Sequence, residues 1–294
     1  MAIADRVFSG DTLRVGYRFQ RHWDNSMAYA FYCCEVGAGL FFVSLLLDNL
    51  AGMVLGLLLV STGKPYFHLT HMGVPMKSWR AMLRPDRSWI SRGLLGLMGM
   101  VGFGVLALLV MVFGEGNSPT ELWGLKLLAG GCALVCATYQ GFAMSHSSAI
   151  AIWNSAIMPL SSLLYALSSG LALAMLLLPA DTAAGLAPIL LLLLLGLALV
   201  QLMFLHAGWH GGPGARTSIE LLLQTFYARW YLGVTVTAGI ALPALLTWAA
   251  PTSILAQLLS GIGVLAGFFA WRLLIFKIGV YEPIMTMNPF APGR

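Results

Sequence analysis

Thr138 to Pro159 reads T-Y-Q-G-F-A-M-S-H-S-S-A-I-A-I-W-N-S-A-I-M-P, where one apolar helix runs out into a short polar turn and the next begins. The stretch sets Tyr139, Gln140, His146, Trp153 and Asn154 around a single turn at the edge of a hydrocarbon layer. Polar groups one or two turns inside a lipid-bound helix are costly to keep, so a tyrosine and a glutamine there need a partner or a ligand. The turn reads as one wall of a binding pocket between membrane helices.

The rest of the chain agrees with a membrane setting. Its 294 residues are 59% hydrophobic and 9% charged, against about 25% charged in soluble domains, and the mean hydropathy is +0.84. Apolar runs of about 20 residues are long enough to cross a bilayer as helices. The other spanning solution, a barrel, needs short alternating strands, and alternation is absent. The expected fold is an all-α integral membrane protein with eight transmembrane helices, at 27–47, 49–72, 92–114, 122–146, 154–178, 185–206, 229–249 and 253–276. The first 26 residues carry Arg6, Arg14, Arg18 and Arg21 with no apolar core, so they read as a retained basic arm and not as a signal peptide or a span. Residues 27–276 form the membrane domain and 277–294 a tail. Helices one to four (27–146) hold nearly all the internal polar residues, while helices five to eight (154–276) are leucine-rich and nearly featureless, which suggests a functional four-helix half and a supporting one.

An even number of spans puts both ends of the chain on one side, together with the loops after helices two, four and six. Fifteen of the 16 basic residues fall there, Arg272 counted among them, and only Lys126 lies opposite. The facing side carries Asp48, Glu115, Glu121 and Asp181. By the positive-inside rule the protein is a multi-pass protein of the inner (cytoplasmic) membrane with both termini cytoplasmic.

Depth arithmetic then gathers the polar residues. With 1.5 Å of rise per residue, Glu35 lies about 12 Å below the cytoplasmic face, Lys64 about as deep, and Tyr139 and Gln140 about 10 Å down. Ionisable residues within spans usually face the bundle interior and pair, so a Glu35–Lys64 ion pair or proton-exchanging couple is expected beside the Tyr139 hydroxyl. The alternative is that Lys64 snorkels to the headgroups and Glu35 stays neutral. Oxidation of a quinol releases two protons with two electrons, so its site needs a hydrogen-bonding partner for each oxygen and a route for protons. Tyr139, Glu35 and Lys64 are the candidate catalytic residues, and Tyr139 and Gln140 the candidate quinone contacts.

Other chemistry finds less support. The cysteines Cys33, Cys34, Cys132 and Cys136 lie in apolar runs without C-x-x-C spacing, which suits no zinc or iron–sulfur site. All six histidines, including the pair His146 and His206 that could offer axial haem ligands, lie near helix ends or in loops, so no haem and no metal is expected. His68 and His71 have no third ligand near them in sequence. Residues 208–216, G-W-H-G-G-P-G-A-R, lack the G-K-[ST] of a phosphate loop. The basic loop Lys77 to Arg92, with Trp79 and Trp89 interleaved, points to anionic headgroups or a docked subunit, and not to nucleic acid.

Together these residues resemble the NrfD/polysulfide-reductase membrane-subunit family along most of the chain. H-W-D-N (His22 to Asn25) with V-G-A-G (Val36 to Gly39) opens helix one, and H-M-G-V-P-M-K-S-W (His71 to Trp79) is similar to the family's H-L-G-R-P-x-R-x-W. S-W-I-S-R-G (Ser88 to Gly93) opens helix three, and Y-Q-G (Tyr139 to Gly141) with I-W-N (Ile152 to Asn154) matches the family's Y-x-G and W-N. The resemblance implies an eight-helix quinone-reactive anchor without haem, using menaquinone or ubiquinone. Its partners would be a ferredoxin-like iron–sulfur subunit and, through it, a molybdenum or tungsten pterin catalytic subunit. The family's quinone contacts carry over to Asn25 and Tyr139. Ala28 stands where some relatives have a quinone-binding histidine, and Val74 replaces the arginine of the helix-two motif, which leaves Glu35, Lys64 or His71 to supply the second oxygen contact. Two other readings stay open: a structural anchor without quinone chemistry, and a proton-translocating, transporter-like subunit. An anchor would not need Glu35, Lys64 and Tyr139 at one depth, and a transporter should carry polar residues on to the far face.

Overall fold

The computed structural model describes residues 18–114 and 119–282. Among them eight helices are long and apolar enough to span a membrane: Asn25–Leu46, Leu50–His71, Trp89–Phe113, Leu122–Ser145 (the apolar part of a helix that begins at Pro119), Ile157–Leu176, Ala187–His210, Tyr227–Ala249 and Ile254–Lys277. These are helices one to eight below, and the all-α membrane fold read from the sequence is the one observed. Polar residues start several of them. Asp24 accepts from the backbone N–H groups of Ser26 and Met27, Asn49 from Gly52, Ser88 from Ser91 and Ser253 from Ala256. Such caps satisfy donors that would otherwise be orphaned at a helix start.

Helix one is the axis of the bundle. It packs against helices two, four, five and eight, and 78% of its apolar window is buried, against 22% for helix three, which faces lipid. The close approach to helix five is made by glycine: a Cβ on Gly39 would fall 1.8 Å from the Ala166 carbonyl oxygen, and one on Gly170 2.2 Å from the Gly39 carbonyl carbon. Small residues of this kind let membrane helices meet backbone to backbone, where dispersion supplies the contact that lipid cannot.

Both described chain ends lie at one face, here the terminal face. Arg18–Phe19 pairs antiparallel with Val280–Tyr281, and the Gln20 amide donates to the Phe276 and Trp23 carbonyls. Arg6 and Arg14 of the expected basic arm, and Arg294 of the tail, lie outside the described residues. At the opposite face Lys126 is paired with Asp48, which the charge count had placed together.

Two features depart from the sequence reading. Helix seven is wound in π register over Trp230–Ala241, with the Thr237 hydroxyl donating to the Leu232 carbonyl five residues back. The second half is also less featureless than expected: the Gln201 amide donates to the Tyr165 hydroxyl at 3.0 Å and accepts from the Tyr231 hydroxyl at 3.1 Å, all three being buried. Their hydroxyls and amide satisfy one another across helices five, six and seven, so a leucine-rich composition conceals one closed polar network.

Candidate functional site

Helix one brings Phe31 and Glu35 to the bundle interior, one turn apart on one face. Helix four brings Tyr139 and Gln140, helix two Lys64, helix five Ser162 and helix eight Arg272, and all of these are buried. Tyr139 lies hard against helix three, where a Cβ on Gly93 would fall 2.1 Å from its ring. The glycine of the S-W-I-S-R-G segment is what leaves room for that ring.

The carboxylate of Glu35, with no solvent exposure, is held by Arg272. Arg272 Nε donates to Oε2 at 2.8 Å and Nη2 to Oε1 at 2.5 Å, while Nη2 also donates to Ser162 Oγ at 2.7 Å. The guanidinium lies 5.5 Å from the Phe268 ring centroid, and its Nη1 lies 3.7 Å from Met144 Sδ. This corrects the expected Glu35–Lys64 ion pair. A guanidinium presents two parallel donors that match both oxygens of a carboxylate, which a single ammonium cannot do. It also corrects the placing of Arg272 among headgroup charges. Five residues before the end of helix eight puts its Cα only about 7.5 Å in, but the side chain points into the bundle and is 1% exposed.

Gln140 joins this pair to Tyr139. With its amide turned to suit its neighbours, the nitrogen donates to Glu35 Oε1 at 3.1 Å and to the Phe31 carbonyl at 3.0 Å. The Gln140 oxygen then takes the position 3.3 Å from the Tyr139 hydroxyl and accepts its proton. A continuous chain results, from Tyr139 through Gln140 and Glu35 to Arg272 and Ser162. Such chains hold each member in one orientation and strengthen through mutual polarisation.

Lys64 is left without a partner. Its Nζ makes no hydrogen bond and lies 4.9 Å from the Phe31 ring centroid and 5.3 Å from that of Tyr139. Two aromatic faces offset part of the cost of burying an ammonium, and the remainder is an unmet demand for an acceptor. One turn further on, His68 Nδ1 is also buried without a partner. Helix two thus carries two unsatisfied buried polar atoms one turn apart, the deeper of them, Lys64 Nζ, set between Phe31 of helix one and Tyr139 of helix four.

The other expected contacts lie at that face. Asn25 is the exposed first residue of helix one, and His71 ends helix two with its Nδ1 3.1 Å from Asp24 Oδ1. Seven residues, about 10 Å of helix, separate His71 from Lys64. Tyr139, Gln140, Glu35 and Lys64 are therefore brought together, and Asn25 and His71 stand at the rim above them. Within the opening stretch, Trp153 is buried and donates to the Ile275 carbonyl at 2.9 Å, whereas His146 and Asn154 are exposed. Trp89 stacks on Phe142 at 4.2 Å with the Arg92 guanidinium 4.4 Å from its ring. A shallow apolar hollow of about 360 Å³ beside helices five and six, lined by Ile157, Leu202, Met203, His206 and Ala207, shares no residue with the cluster.

Sequence reasoning missed Arg272 and Ser162. The available signal was the run W-R-L-L-I-F-K (Trp271 to Lys277), in which Lys277 marks the interface and an arginine stands inside the apolar stretch. No group of three or more histidine, cysteine or acidic residues suited to a metal occurs among the described residues.

A protein-family model described as "Polysulphide reductase, NrfD" matches residues 18–282, nearly the whole chain. No curated protein matches the chain.

Proposed function

Because the chain belongs to the NrfD polysulphide reductase family, whose members are membrane subunits of oxidoreductase complexes, we propose that it binds a quinone or quinol at the Lys64–Tyr139 cluster. It would exchange electrons between the membrane quinone pool, menaquinone or ubiquinone, and a ferredoxin-like iron–sulfur subunit serving a molybdenum or tungsten pterin catalytic subunit. The observation that carries the reading is the buried, unpartnered Lys64 ammonium beside the Tyr139 ring. A carbonyl or hydroxyl oxygen of a quinone is the kind of acceptor it lacks.

A bound quinone supplies two-electron, two-proton chemistry at its ring oxygens. The chain's own residues supply donors and a proton store. Lys64 Nζ donates to one oxygen. The Tyr139 hydroxyl gives up its bond to Gln140 to serve the other, and Gln140 and Glu35 stand behind it as the next acceptors. Arg272 holds the Glu35 carboxylate in place and balances its charge. Phe31 and the Tyr139 ring exclude water and lipid from the ammonium. Asn25 and His71 sit where a headgroup would pass on its way in, and His71 is steadied by Asp24.

Tyr139→Phe removes only the hydroxyl and keeps the ring's volume against Gly93. The subunit should assemble, while quinol-coupled activity falls by the equivalent of about 1 kcal/mol, the net worth of one hydrogen bond. Unchanged kinetics with native quinones would sink the assignment.

The iron–sulfur partner belongs over the shallow end of the cluster, since electron transfer falls steeply with distance, and that end is the terminal face. Charge counting makes this face cytoplasmic, and its basic loop offers an acidic subunit an electrostatically matched surface. Single cysteines placed at Ser78 and Thr182 test the orientation. Only Thr182→Cys should label from outside intact cells, and labelling of Ser78→Cys alone would move the partner to the outer side.

A further inference from the structure

The buried side of helix two steps from Met53 through Leu57 and Val60 to Lys64, and residues three or four apart in a helix share a face. His68 is the next step, and His71, joined to Asp24 at the start of helix one, is the one after it. Bonds from Cα to Cβ tilt toward the start of a helix, so the His68 ring leans back over the turn that carries Lys64. Its Nδ1 and the Lys64 Nζ are both buried, and neither has a hydrogen-bond partner among the described residues. Their needs are opposite. An ammonium can only donate, whereas a neutral imidazole with its proton on Nε2 accepts at Nδ1. A single hydroxyl answers both at once, taking a bond from the ammonium on its oxygen and giving its own hydrogen to Nδ1. A carbonyl oxygen answers only the ammonium.

We propose that His68 makes the site selective for the reduced form of its ligand, Nδ1 accepting the hydrogen of the quinol hydroxyl whose oxygen Lys64 holds, an inference that rests on the quinone reading above. Tyr139, at the other oxygen, does not discriminate, because a phenol both donates and accepts. Lys64 does not discriminate either, since it donates to a carbonyl and to a hydroxyl alike. The imidazole is the selective element. With a quinone bound, Nδ1 stays buried and unsatisfied, which costs at least as much as a hydrogen bond contributes. With a quinol bound, both nitrogens are satisfied by one oxygen and its hydrogen. By linkage, a site that binds the quinol more tightly makes its bound quinone easier to reduce by the same factor.

Isothermal titration of the purified complex with a fully ring-substituted short-chain benzoquinone, and with its quinol under anaerobic reducing conditions, reads the selectivity. The parent should bind the quinol about tenfold or more tightly than the quinone. His68→Leu should bring the two affinities together by weakening the quinol alone. His68→Gln, whose side-chain oxygen still accepts, should restore part of the difference. A histidine that serves only packing would change both affinities in proportion. Equal affinities in the parent, or a preference that survives His68→Leu, overturn the role of His68 and leave the quinone site standing. Should the leucine variant fail to assemble, the parent's own preference decides. Binding of neither form to the parent removes the quinone reading itself, and this inference with it.

Discussion

Arg272→Met is expected to be the most damaging single change in the molecule, lowering stability in detergent by about 3–5 kcal/mol, because it leaves the Glu35 carboxylate buried and uncompensated. Methionine keeps much of the stem volume, so the loss reports charge and hydrogen bonding more than a cavity. The pair as a whole is a different matter. Removing a buried ion pair together with its desolvation cost is often neutral or stabilising, so Glu35→Leu combined with Arg272→Met should recover most of the loss. Thermal unfolding of the purified protein, followed by intrinsic fluorescence, gives both numbers. A single variant within about 1 kcal/mol of the parent would mean that Glu35 is accessible to water or to another cation, and the buried pair described above would be wrong.

Lys64→Met should move stability and binding in opposite directions. The wild-type ammonium has two aromatic neighbours and no acceptor, so replacing it with a thioether of similar length should leave the unliganded protein as stable or more so. Affinity for a quinone or quinone-like inhibitor should fall by about ten- to a hundredfold, the equivalent of losing a hydrogen bond from a charged donor. Isothermal titration alongside unfolding separates the two effects. A variant that is destabilised and binds normally would show that Lys64 is a structural residue with an unseen partner.

How much of this was legible beforehand differs between fold and site. The eight spans could be counted because charges and turn residues separate apolar runs of suitable length. Their ends moved by a few residues: helix three begins at Trp89 and helix six continues to His210, since tryptophan and histidine sit comfortably at an interface and the backbone ladder continues through them. The π register of helix seven left no sequence trace, being a matter of how its turns pack against helix eight. For the site, helical rise was enough to put Glu35, Lys64, Tyr139 and Gln140 at one depth. It could not say which groups face each other. Helices that are apolar on every side carry no amphipathic stripe from which rotation could be read, and so Glu35 was matched with the lysine at its level when the arginine of helix eight was its partner.

The distance between those two residues along the chain bears on how the protein is made. Glu35 precedes Arg272 by 237 positions, so at about 5–20 residues per second of synthesis the carboxylate spends on the order of ten to fifty seconds without its guanidinium. For that time helix one carries an unbalanced acid, and the central helix of the bundle is the one least content to stay in lipid. Its final seat is fixed only when the last span emerges and the short strand at its end closes on Arg18 and Phe19. Chains truncated before helix eight keep Glu35, Lys64, Tyr139 and Gln140 in sequence but present a bare carboxylate to the membrane, a mark by which quality-control proteases could tell an unfinished bundle from a finished one.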